Sequence, residues 1–146
     1  MRLSQRARRG SAATEFALLL PVVFGIVTIT VDVGWYLWRH SDVLEAAREG
    51  ARHGGAMIEN VAGTAAPNEL DIETDAMNHA RAVLGAQGAP CNTGCTVTAD
   101  ARTDTLTGYR LLTVTVSYPY TPIVGMWEAL QGPVRASFTL MTASQP

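Results

Sequence analysis

Charge is scarce in this chain: only 16% of its 146 residues are Asp, Glu, Lys or Arg, while 47% are hydrophobic. That balance excludes an intrinsically disordered protein, which needs high charge and little apolar surface, and the length suits about one domain. Basic residues are scarcer still beyond the first ten positions. Of the 11 basic residues, Arg2, Arg6, Arg8 and Arg9 precede every acid, leaving 7 against 13 acids in the remainder. Such an acidic body lacks the clustered Lys or Arg that phosphate backbones require, so no nucleic-acid partner is expected. Cysteine is limited to Cys91 and Cys95, in the stretch PCNTGC. Their C-x-x-x-C spacing is not the C-x-x-C of thioredoxin-like redox centres, and two thiols without companion ligands make a poor zinc site. Neither a glycine-rich phosphate loop nor a nucleophile elbow is present, and His40, His53 and His79 fall in helical stretches, with His40 and His53 read as solvated. The chain therefore reads as non-enzymatic, with no cofactor and no metal site.

What the sequence does have is one long apolar run, FALLLPVVFGIVTITVDVGWYLW, over residues 16–38. As a helix rising about 1.5 Å per residue it is roughly 35 Å long, enough for a hydrocarbon core of about 30 Å. Trp35, Tyr36 and Trp38 gather at its far end, where amphipathic rings favour the headgroup region, and Arg39 and His40 close it. Pro21 removes one helical N–H, so a kink or local loosening is expected there. Asp32 is interfacial if the apolar boundary lies near Val31, and buried and paired if the tryptophans mark it; the interfacial position is slightly favoured. A secretory signal would be cut after the apolar stretch at an A-x-A-like site, but the run exits through Asp32, Gly34 and two tryptophans. The same missing site weighs against a twin-arginine signal at Arg8 and Arg9. A cut before the run, between Gly10 and Ser11, keeps the hydrophobic helix on the mature protein.

The stretch RRGSAATEFALLLP resembles a type IV prepilin leader: basic residues, Gly10 before the cut, four residues, Glu15, the aromatic Phe16, then a hydrophobic helix. The Glu-Phe pair, the short leader and DVLEAAREGARHGG at residues 42–55 resemble TadE-like minor pilins of the tight adherence (Tad, or Flp) pilus system more than major pilins. The motif-level likeness covers residues 6 to about 55. It implies cleavage after Gly10 by a prepilin peptidase, and a Ser11 amine that starts a helix. Glu15 and Phe16 are then assembly residues, with Glu15 able to pair with the new amine of a neighbouring subunit. Implied partners are other pilin subunits, inner-membrane platform proteins and lipid. Residues 1–10 would be leader, 11–38 the transmembrane and assembly helix, 39–56 its exported continuation and 57–146 an exported α+β domain. The leading arginines favour a cytoplasmic N-terminus in a bacterial inner membrane and a periplasmic or extracellular C-terminal domain. A type II secretion pseudopilin and a single-pass anchored binding domain are the alternatives.

The rest of the chain predicts a pilin-like α+β fold. Ala46, Gly50 and Gly54 recur every fourth position beside Ala47 and Ala51, a flat stripe that lets another element approach closely. Residues 60–67 read as a loop. A second helix is expected from Glu69 to about Leu84, capped by Asn68, with acids crowding its first turns and Leu70, Met77, Ala80, Val83 and Leu84 as its apolar face. Those acids lack the order of a calcium loop. Alternation then predicts three antiparallel strands: residues 96–102, residues 112–118, and a third through Val134, Ala136, Phe138 and Leu140. Pro119 and Pro122 are expected to prevent pairing after the second strand, and Met126 and Trp127 are candidates for a subunit contact or a lid over the sheet edge. Outside the membrane an oxidising compartment favours a structural Cys91–Cys95 disulfide, pinning the turn into the first strand.

Overall fold

The computed structural model describes residues 3–59, 68–107, 109–125 and 132–143, with side chains from residue 13 onward and excluding 59 and 143. The loop expected at 60–67 and the pair Met126 and Trp127 lie outside the described residues. The elements in chain order are helix α1 (Leu3–Glu59), helix α2 (Glu69–Ala86), and strands β1 (Thr96–Thr103), β2 (Tyr109–Tyr120) and β3 (Gly132–Ala143). The sheet is three-stranded and antiparallel in the order β1-β2-β3, giving an α+β architecture.

Helix α1 is one element in two environments. It runs through Pro21 without interruption. Its first half exposes Phe16, Leu19, Val23, Phe24 and Ile26, and among the described residues no other element lies against them. Its second half buries Val43, Ala46, Ala47 and Ala51 in the head. Both helices lie on one face of the sheet, α2 over β1 and α1 over β2 and β3.

Small residues decide how closely the helices meet. A Cβ on Gly50 would stand 2.9 Å from the carbonyl oxygen of Ala76 and 2.9 Å from the Ala80 Cβ, and one on Gly54 would stand 2.6 Å from Leu112 Cδ2 and 3.0 Å from the Ala76 Cβ. The Ala46, Gly50 and Gly54 stripe therefore serves this chain's own α2 and sheet. Hydrophobic burial then closes the core: Leu112, Val114 and Val116 of β2 point inward with Val97 of β1 and Val134 of β3. Each fully buried Val or Leu contributes roughly 1.5–3 kcal/mol.

The apolar face of α2 is the expected one through Met77, Ala80, Val83 and Leu84, which are buried or packed half-buried on the core, but its first turn differs. Ile72, Ala76, Ala80 and Leu84 are buried at a spacing of four, whereas Leu70 is 70% exposed. The stripe on α1 selects the partners: a surface of Gly and Ala accepts Ala76 and Ala80 at close range, which turns Leu70 outward. Asn68 occupies the N-cap position, but its side chain makes no capping bond. At the other end Gly88 adopts φ +74°, with the Gly88 N–H donating to the Gly85 carbonyl and the Ala89 N–H to the Leu84 carbonyl, a Schellman ending.

Strand β2 also exceeds its expected bounds, continuing through Pro119 to Tyr120, with Pro119 opposite Pro133. Two prolines can face each other where the antiparallel ladder needs no N–H from either, and β1 has already ended opposite Ser117. Pro119 thus costs the sheet no hydrogen bond on either side. The direction of β2 fixes the layout. Leu112 meets Gly54, Val114 meets Gly50 and Tyr120 meets Asp32, so β2 runs antiparallel to α1. The β1–β2 turn therefore lies at the far end of the head, and the segment after β2 lies where α1 leaves it.

Candidate functional site

Two regions hold the residues that the sequence singles out: the start of α1 and the junction where α1 enters the head. At the start, Gly10 and Ser11 lie within the backbone of α1, and Glu15 and Phe16 stand exposed on its surface. From Phe16 to Val31 the helix carries no charged side chain. Helix α1 is long and apolar enough to cross a membrane, fitting a single-pass membrane protein.

The junction is built on Asp32, which is 0% exposed because the chain's own residues cover it. Its Oδ1 accepts the Val124 N–H at 3.0 Å, and its backbone carbonyl accepts the Tyr120 hydroxyl at 3.0 Å. Oδ2 is buried without a hydrogen-bond partner among the described residues. The partners are 88 and 92 residues away in sequence, so no local pattern around Asp32 announces them. Tyr36 packs edge-on against Tyr120, with ring centroids 5.3 Å apart.

One turn further, Arg39 ties the aromatic cluster to the head. Its guanidinium lies 4.9 Å from the Trp35 ring centroid and 5.9 Å from those of Trp38 and Tyr118, and its Nη1 is 3.3 Å from Asp42 Oδ2. Trp35 and Trp38 themselves meet edge-on at 4.9 Å. A half-buried cation over several aromatic faces gains roughly 0.5–2 kcal/mol. This cluster leaves Leu37 and Trp38 exposed on the outer side of α1.

Elsewhere the polar groups are absorbed by the fold. Glu73 accepts the Ala101 N–H at 2.8 Å, joining α2 to β1. His53 is exposed to solvent, as read from the sequence, and there places Nε2 2.8 Å from Asp75 Oδ2 and stacks on His79 with centroids 4.1 Å apart. The close approach of the helices at Gly54 brings the residue before it onto α2. Among the described residues no three His, Cys, Asp or Glu side chains are grouped to hold a metal. Cys91 and Cys95 form a disulfide in the turn before β1, where Gly94 adopts φ +83°.

At the distal end, Asp104 organises the β1–β2 turn: Oδ1 accepts the Leu106 N–H at 3.0 Å and Oδ2 the Thr107 hydroxyl at 2.6 Å. The Thr107 hydroxyl first, and then the Leu106 amide, hold the Asp104 carboxyl below the usual carboxylate range.

Compared with known proteins, residues 10–52 match the family model of TadE-like protein. The matched segment contains Gly10, Glu15, Phe16 and the exposed apolar stretch, and ends within the small-residue stripe. No curated protein and no solved structure matches the chain.

Proposed function

From the TadE-like character of residues 10–52 we propose that the chain is a minor pilin or pseudopilin of a Tad-type pilus, cut between Gly10 and Ser11 by a prepilin peptidase. It acts as a structural subunit in, or priming, the filament, and not as an enzyme. The observation that carries this reading is the order Arg8-Arg9-Gly10, then Glu15-Phe16, at the head of an exposed apolar helix that continues into a folded α+β head. Cleavage leaves a new α-amino group on Ser11. Glu15 then lies one turn into the mature helix, where the helix dipole favours negative charge by about 0.3–1 kcal/mol. An acid at the edge of the hydrocarbon is drawn to a cation, since a charge deep in lipid costs about 2.5–3.5 kcal/mol on insertion scales. The Ser11 amine of an adjacent subunit supplies that cation and sets axial register. The head faces the periplasm or exterior, with the leading arginines in the cytoplasm.

The test compares wild type, Gly10→Leu and Glu15→Gln in a strain assembling Tad pili. N-terminal sequencing should find Ser11 in wild type and in Glu15→Gln, while Gly10→Leu stays uncut. Glu15→Gln should insert in the membrane and yet reduce filament yield. A mature terminus at Met1, or one beyond Asp32, removes the prepilin reading. Wild-type filaments containing Glu15→Gln at full level remove the pairing while leaving cleavage standing.

A further inference from the structure

The buried carboxylate of Asp32 lies in an unusual place for a single-pass helix. Uncharged surface extends along α1 from Phe16 to Trp38, about 33 Å at 1.5 Å per residue, which matches a hydrocarbon core of about 30 Å. Asp32 is the one acid in that stretch, about 4.5 Å before Trp35 and 9 Å before Trp38 along the axis. Trp35, Trp38 and Arg39 form the cluster expected at a headgroup boundary, so Asp32 lies inside the apolar slab. A carboxylate facing lipid there is costly unless the protein covers it.

The chain's own cover comes from the segment after β2. Val124 donates its N–H to Asp32 Oδ1, and Tyr120 anchors the end of β2 to the Asp32 carbonyl. A segment bonded to Asp32 must lie at the same depth as Asp32. Its side chains agree with that depth: Ile123 is 60% and Val124 40% exposed, two large apolar residues on a turn where Pro122 and Gly125 bring no charge. Val31 and Val33, the neighbours of Asp32 on α1, are exposed and apolar as well.

We propose that residues 121–125 are a membrane-inserted cap, placing Ile123 and Val124 in the lipid of the leaflet adjoining the head while Val124 shields Asp32. The occupant of this apolar surface is the bilayer, because the segment is bonded to Asp32 within the exposed apolar stretch of α1, which ends at the aromatic and arginine cluster. The head is thereby held against the membrane at a second point, which fixes its orientation before assembly. Extraction into a filament must then withdraw both the helix and the cap from lipid. The inference rests on the single-pass reading.

The test uses the full chain in vesicles of phosphatidylethanolamine and phosphatidylglycerol. Because Cys91 and Cys95 are bonded to each other, a single introduced thiol at Ile123→Cys, Phe24→Cys or Leu106→Cys can be labelled with an environment-sensitive fluorophore. Phe24 reports the span, and Leu106, almost fully exposed in the turn at the far end of the head, reports water. The expected result is a blue-shifted label at position 123 quenched by lipids with a nitroxide high on the acyl chain. The label at position 24 should be quenched by deeper nitroxides, and that at 106 by neither. Lipid quenching at 24 with a water-like label at 123 overturns the cap and leaves the single span standing. A blue shift at 123 that ignores lipid nitroxides and grows with protein-to-lipid ratio identifies a protein partner and overturns the cap equally. An unquenched label at position 24 removes the span and the cap together.

Discussion

Replacing Gly50 by Ala tests the helix contact at the centre of the head. In open helix the change is favourable, because Gly destabilises a helix interior by about 0.5–1 kcal/mol relative to Ala. At Gly50 the added methyl would stand 2.9 Å from a backbone oxygen, that of Ala76, and 2.9 Å from the Ala80 Cβ. Neither atom is the end of a flexible side chain, so α2 must move outward, taking its contacts with β1 along. Overpacking of this kind costs about 1–3 kcal/mol. The balance is a net loss of about 1 kcal/mol, and such a loss lowers the melting temperature by about 4–8 °C for a domain near this size. Gly85 is the internal control: it lies in α2, and beyond its chain neighbours and its own helix backbone no described atom comes within 4 Å of its added Cβ. Thermal unfolding of the full chain in detergent, followed by near-ultraviolet circular dichroism, should show Gly50→Ala melting below wild type and Gly85→Ala at or above it. A rise at Gly50 equal to that at Gly85 would refute the close approach of α1 and α2.

The α2 face gives a second prediction: Ile72→Ala should cost about 2–5 kcal/mol as a buried large-to-small change, whereas exposed Leu70→Ala should stay within about 0.5 kcal/mol. Denaturant titration separates them, and a larger loss at Leu70 would restore the seven-residue face read from the sequence. Acid should loosen the distal turn. Because the folded pKa of Asp104 is depressed, its stabilising bonds are fully present above the unfolded aspartate value and are lost as pH falls through the folded one. The Leu106 amide resonance should titrate with a midpoint below the usual aspartate range and become flat in Asp104→Asn; a midpoint at or above that range would contradict the two hydrogen bonds.

Much of the architecture follows from local pattern. A continuous run of apolar residues from Phe16 specifies an exposed hydrophobic helix, and strict alternation through Val114 and Val116 specifies a half-buried strand, because both signals are periodic over neighbouring residues. The order of Gly10, Glu15 and Phe16 is likewise a short-range motif, and the likeness to TadE-like proteins rests on residues 10–52 alone. The small-residue stripe on α1 announces a close contact without naming its partner. Only tertiary structure decides that the partner is α2, and the decision propagates: once Gly50 and Gly54 admit Ala76 and Ala80, Leu70 is turned to solvent despite its hydrophobicity. Asp32 marks the same boundary more sharply. In sequence it is an acid in an apolar helix with two consistent readings; in the fold its environment is supplied by Tyr120 and Val124, 88 and 92 residues away. Periodicity reports which faces of an element are apolar, while the partner of a polar atom inside them is set by chain reversals that bring distant backbone to the same depth.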